Sequence, residues 1–262
     1  MLLAVPAAIV WADSTPASAQ LATGYYQATV IVTGTDLRSR PSGFAQALRA
    51  VLVIVSGEPR LRQDPRVGRF AARADAFVTS FSYVDRMAGR PVHDEQGTRD
   101  RPYNLTVHFD PVMVDKALAT LGEHPWRGPR PTVVPVVAVH GFGKSYLLDA
   151  SGPRGAEQRA VFADVARGYG LGVRFPTAAE LAAWGVTVER FPLPRAAPPP
   201  EQAVVSGTLE FNEALPGWAG SWKLRWHGID YAWGIRGVNY DKAFRDVIEG
   251  VIRVASGHGA PD

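Results

Sequence analysis

The chain contains no cysteine, which excludes disulfides, thiolate metal sites, a cysteine nucleophile and a lipidated amino-terminal cysteine. The compartment stays open on that ground, because 262 residues can bury an adequate core without bridges. There is no long block of Lys and Arg either. The arginines at 60, 62, 66 and 69 are diluted by Pro, Asp and Gly, and a formal charge of +3 is small for this length. Phosphate binding needs a clustered basic footprint, so no nucleic-acid partner is expected. No apolar run reaches the ~20 residues of a membrane span. The six histidines, at 93, 108, 124, 140, 227 and 258, never recur at two-, three- or four-residue spacing. Zinc ligand sets usually contain such a local pair, so no metal and no cofactor is expected.

What is present begins with the apolar stretch "LLAVPAAIVWA", followed by Ala17-Ser18-Ala19. This is the length and cleavage pattern of a secretory signal, although no Lys or Arg precedes it, and removal after Ala19 is expected. Pro6, Pro16 and the polar "DSTPAS" argue against a buried helix there. The expectation is an exported, periplasmic protein with no transmembrane span once residues 1–19 are gone.

Along the remaining chain, hydrophobic periodicity predicts both helices and strands. "YYQATVIVT" (25–33) reads as a strand, and 41–55 as a helix with Pro41 at its start and Gly57 past its end. Residues 59–65 read as a loop, and 67–84 as a helix-like stretch running into "FVTSFSYV", where a turn to strand is the alternative. Residues 89–102 form a polar loop. "YNLTVHFD" alternates as a half-buried strand, after which Asp110 caps a helix closed by Gly122. A strand over 132–139 follows the rigid "HPWRGPRP". Then come a helix over 157–169, a short strand over 171–175 and a helix capped by Thr177. A proline-rich connector over 191–200 leads to three strands in a meander and an amphipathic helix over 240–254. The predicted class is α+β, with an N-terminal half over 20–145 and a C-terminal half over 146–262.

The segment "VVPVVAVHGFGKSYLLD" (133–149) invites two catalytic readings. A phosphate-binding loop needs Gly five residues before Gly143, but Ala138 stands there within a strand. An α/β-hydrolase could use His140-Gly141-Phe142-Gly143 to bind an oxyanion, yet no serine has the flanking glycines of a nucleophile elbow. A tight turn at 141–144 is the simpler reading, and no catalytic residue is assigned. His258 falls in a Gly-rich tail expected to fray. Trp222, Leu224 and Trp226 share one strand face opposite Lys223 and Arg225, with Tyr231 and Trp233 facing them on the next strand. A core face against the last helix explains this pattern. A contact surface made of Trp126, Trp218, Trp222, Trp226 and Trp233 is the functional alternative.

"ALRAVLVIVSG", "FSY", "LTVHFDPVMVDKAL" and "HPWRGPRPTVV", in that order, resemble a family of proteobacterial exported proteins, domain of unknown function 2066. The resemblance covers about residues 25–175 and implies export and fold rather than activity. The closing strands and helix are similar at fold level to the TolB N-terminal domain and to activators of penicillin-binding proteins. The expected function is non-catalytic, through contacts with an unidentified protein of the periplasm or envelope. The alternative is a hydrolase using the His140–Gly143 loop with Ser145.

Overall fold

Three strands form the first sheet, and two of them, the first and third, bury alternate residues while the second stays largely exposed. They are β1 (Gln27–Thr33), β2 (Val78–Asp85) and β3 (Pro102–Phe109). They pair antiparallel in the order β1-β3-β2, and Leu105, Val107 and Phe109 of the central strand point inward as their spacing predicts. On that face lies α1 (Arg40–Ser56), which buries Phe44, Leu48, Val51, Leu52 and Val55. Gly43 permits the contact, because a Cβ there would fall 2.6 Å from Leu105 and 2.8 Å from Val32. The computed structural model from which this description is drawn covers residues 24–89, 101–190, 192, 199–213 and 217–261. The expected signal segment, most of the loop over 89–102 and most of the proline-rich connector lie outside the described residues.

The helix-like stretch over 67–84 is shorter than expected. Only α2 (Gly68–Ala71) is α-helical, flanked by 3-10 turns at Pro59–Arg62, Pro65–Val67 and Ala74–Phe77. The β-branched and aromatic residues after Phe77 pair along β3, the strand alternative for "FVTSFSYV". The helix α3 (Pro111–Leu121) begins and ends as expected. Asp110 accepts from the Val112 N–H at 2.8 Å, and Gly122 takes the left-handed conformation at φ 83°.

The second sheet comprises β4 (Thr132–Gly141), β5 (Lys144–Leu147), β6 (Gly172–Val173), β7 (Gln202–Asn212), β8 (Gly217–Trp226) and β9 (Ile229–Val238). Its order is β5-β4-β7-β8-β9, with β6 beside the start of β4. β4 and β7 run parallel, which demands the long crossover carrying α4 (Ala156–Gly168) and α5 (Ala178–Ala183). β4 is an apolar run because it is covered on both sides. Val133, Val137 and Val139 join the main core, while Val134 and Val136 pack with Leu181 and Val186 around α5. The meander β7-β8-β9 is antiparallel, and α6 (Tyr240–Ala255) lies against it. The class is α+β. A single hydrophobic cluster runs from α1 and β3 through β4 and β7 to α6. Among the described residues no helix is long and apolar enough to cross a membrane.

Candidate functional site

The two catalytic-looking motifs at 140–145 are spent on a hairpin. β4 and β5 pair through Gly141↔Lys144, leaving Phe142 and Gly143 as a two-residue connection with φ of 54° and 70°. Positive φ at both positions is the type I′ turn, whose twist matches that of the flanking strands. The glycines therefore reverse the chain. The lysine-serine that follows lies in β5, an edge strand and not a helix, so no helix N-terminus faces an anion there. One local feature does survive. His140 Nδ1 lies 2.9 Å from Ser145 Oγ, and Glu210 sits across from His140 on β7.

The tryptophans are mostly packing residues. Trp222 is 1% exposed, pairs with Trp233 across β8–β9, and donates its indole N–H to Asp246 of α6 at 3.0 Å. Burial raises the Asp246 pKa to about 6 against the lowering effect of that hydrogen bond. The Trp233 N–H lies beside the same carboxylate but is not aligned to bond it. Trp218 is half-buried in a ladder of rings, with Phe211 at 5.3 Å, Tyr240 at 6.2 Å and Phe142 at 6.2 Å. Trp226 is half-buried at the end of β8, edge-on to His227. Trp126 is half-buried and stacks on Arg130, whose guanidinium is 4.4 Å from the indole and 4.0 Å from the Tyr25 ring. Burial pulls the Arg130 pKa down to about 10, which still leaves it charged at neutral pH. Arg130 also donates to the Ile54 and Tyr169 carbonyls, bracing α1 against the end of α4. The five tryptophans do not form one surface, because Trp222 is core with Trp233 beside it, and Trp126, Trp218 and Trp226 lie in three further neighbourhoods.

A roomier concavity than the hairpin offers lies elsewhere, between β1 and three helices. It is a groove of about 690 Å³ bordered by Thr29, Val30 and Ile31 of β1, by α1, and by the facing sides of α4 and α6. Three consecutive strand residues can line it only because the groove follows the edge of β1 rather than one face. Among the described residues no strand pairs with that edge, and Ile31 is 55% exposed. Three cations and the carboxylates of Asp164 and Asp241 border the groove. Arg49 donates to the Arg62 carbonyl, Arg62 bonds the Tyr169 hydroxyl at 2.7 Å and approaches Glu249 at 3.4 Å, and Arg245 is exposed on α6. Burial and the Glu249 carboxylate raise the Tyr169 pKa, so this hydroxyl remains protonated.

A second constellation forms where three helices end. Gly57 closes α1 and is followed by Glu58; Gly122 closes α3 and is followed by Glu123; α6 ends at Ser256, two residues before His258. Glu58 and Arg253 form an ion pair whose side chains are 9% and 10% exposed. His258 Nε2 lies 3.0 Å from Glu123 Oε2, and its Nδ1 lies 2.7 Å from Ser256 Oγ. The expected fraying of this tail does not occur. The His258 N–H bonds the Arg253 carbonyl, and Arg253 Nε donates to the Ala260 carbonyl.

Comparison with known proteins concerns the first part of the chain. Residues 19–127 match the model of a domain of unknown function, DUF8605. The resemblance to domain of unknown function 2066 is thereby corrected, since a different family model takes most of the segments that carried it. The likeness of the closing strands to TolB and to penicillin-binding-protein activators is set aside with it. No curated protein matches the chain. A crystal structure of an uncharacterised protein aligns at 14% identity over 50% of this chain and 92% of its own, with a TM-score of 0.18. The DUF8605-like stretch supplies β1, α1, Arg49, Arg62, Glu58, Glu123 and Trp126. The later residues supply Tyr169, Arg245, Glu249, Arg253 and His258, so groove and helix-end cluster both straddle its limit.

Sequence reasoning missed Glu58, Glu123, Tyr169 and Arg253. A signal for the two glutamates was present, because each directly follows a glycine recognisable as a helix end. Nothing local marked Arg253 or Tyr169, whose partners lie far away in the chain.

Proposed function

We propose that this is an exported, periplasmic protein that acts by binding an extended segment of another protein rather than by catalysis. The observation that carries the reading is the groove along the unpaired edge of β1. An exposed strand edge offers a row of N–H and C=O groups to an added strand, and such edges are normally blunted or covered. Here the edge is walled by α1, α4 and α6, which would hold a strand in register. Arg49, Arg62 and Arg245 line the groove together with Asp164 and Asp241, so it offers a partner charges of both signs. Support for export comes from the apolar run over 2–12 and the Ala17-Ser18-Ala19 that follows it, ahead of all but the first residue of the matched stretch.

Photo-crosslinking in intact cells tests the binding reading. A crosslinker at Ile31 should capture one protein, and Arg245→Glu should weaken the adduct, while a crosslinker at Lys223 on the far face of β8 should not capture it. Absence of an adduct from position 31, or equal capture from both positions, would sink the proposal. Sequencing the amino terminus of the periplasmic chain should find Gln20, and an uncleaved cytosolic chain would overturn export.

The contact between His140 and Ser145 favours one competing reading, a hydrolase with Ser145 as nucleophile and His140 as base. Against it, Ser145 is exposed on an edge strand and the neighbouring Gly-rich turn is committed to the hairpin. Turnover of generic esters that disappears in Ser145→Ala would replace the binding reading with this one.

A further inference from the structure

The helix-end cluster carries an inference independent of the groove. One ligand atom each from Glu58, Glu123 and His258 lies within 4.8 Å of the other two. The ligand atoms around a tetrahedral zinc sit about 3.4 Å apart, given bonds of about 2.1 Å. The His258–Glu123 separation of 3.0 Å is already in that range, and the third ligand needs only a small movement.

The orientation of the imidazole sharpens the case. Ser256 Oγ is 3.0 Å from the Gly57 carbonyl and 3.2 Å from the Arg253 carbonyl, so its single proton is drawn to backbone oxygen. That leaves the hydroxyl as acceptor for His258 Nδ1–H. In the neutral ring Nε2 then carries a lone pair, and it points at a carboxylate oxygen rather than at a donor. A metal cation or a second proton on Nε2 removes that conflict. Metal-bound histidines are held in this way, with the distal N–H fixed by an oxygen and the other nitrogen free to ligate.

Charge points the same way. The carbonyl ends of α1, α3 and α6 converge here, and each contributes a partial negative charge. Two carboxylates face one guanidinium, so the cluster with a neutral imidazole is one charge negative before the helix ends are counted. Arg253 does not exhaust Glu58. A carboxylate has about four acceptor positions, of which Arg253 and the Arg60 N–H each take one. The side chains of Glu123 and His258 are 20% and 16% exposed, so the site is shielded yet reachable.

We infer that Glu58, Glu123 and His258 form a binding site for a divalent transition metal, with Zn²⁺ as the best match to one imidazole and two carboxylates. Three protein ligands leave a fourth position for water. The ion ties the C-terminal tail to the loops that follow α1 and α3.

The test uses the untagged full chain, stripped with chelator and titrated with Zn²⁺ against a chromophoric competitor. One equivalent should bind and raise the melting temperature. His258→Ala and Glu123→Gln should each weaken binding by at least about tenfold. Both residues are partly exposed, and circular dichroism of the metal-free variants verifies that they fold. Co²⁺ in place of Zn²⁺ should give the intense visible absorption of a tetrahedral site, lost in His258→Ala. No saturable binding overturns the inference, as does one equivalent whose affinity is unchanged in both folded variants. Crosslinking at Ile31 reads the groove alone, so the two proposals succeed or fail separately.

Discussion

Asp246 shows how a single residue can set a pH dependence for the fold. Its pKa is raised from 3.8 to about 6 because folding removes the carboxylate from water. The folded chain therefore holds that proton more tightly than the unfolded one. Stability from this group is complete below about pH 4 and is lost as the pH climbs through about 6. Asp246→Asn keeps an acceptor for Trp222 without the buried charge. The variant should melt above the wild type at pH 7 and match it at pH 3, and a gap that ignores pH would refute burial as the cause. Gly250 sets two effects against each other. Ala would gain about 1 kcal/mol of helix preference, but its Cβ would fall 2.4 Å from the Trp233 ring. Overpacking costs about 1–3 kcal/mol, so Gly250→Ala should lower the urea midpoint rather than raise it.

At the scale of elements, the ends of helices were more legible than the partners of strands. Asp110, Pro111 and Gly122 mark α3 through backbone chemistry that acts within a few residues. Removing the cap with Asp110→Ala should cost about 1 kcal/mol in chemical denaturation, while Asp110→Ser should retain most of it. Thr177 and Glu180 close α5 in the same local way, each side chain bonding the other's backbone N–H. By contrast, β5 was not recognised. "KSYL" is short and half-exposed, and it becomes a strand only because the turn at Phe142-Gly143 lays it along β4. The parallel pairing of β4 with β7 was equally hidden, since their paired residues lie some seventy positions apart. After Val67 the helical part is shorter than its pattern suggests, and the turn to strand expected in "FVTSFSYV" is completed by pairing with β3.

Across the whole molecule, the contacts that join distant segments are charged or aromatic and partly buried. Arg130 stacks between Tyr25 and Trp126 while bonding two carbonyls, and Arg62, Tyr169 and Glu249 link the turns after α1 to α4 and α6. Glu58 and Arg253 are the most enclosed ion pair among those described. Deleting one member of such a pair leaves its partner charged and desolvated, which typically costs about 3–5 kcal/mol. Glu58→Gln should therefore destabilise the chain by about that amount in urea. Earlier hydrogen exchange should appear both after α1 and at the end of α6. Loss confined to the α1 end would mean that the pair does not couple the two regions.

By itself the sequence determined the α+β class, the inward faces of β3 and β8, the caps of α3 and α5 and the packing face of α6. Each depends on period, propensity or a cap acting over fewer than about ten residues. Only the tertiary structure decided that His258 is tethered, and that Glu58 and Glu123 meet it. It alone set the edge of β1 beside Arg49, Arg62 and Arg245. Those arrangements come from burying one apolar core between two sheets, which brings helix ends and loops together whatever their separation in the chain.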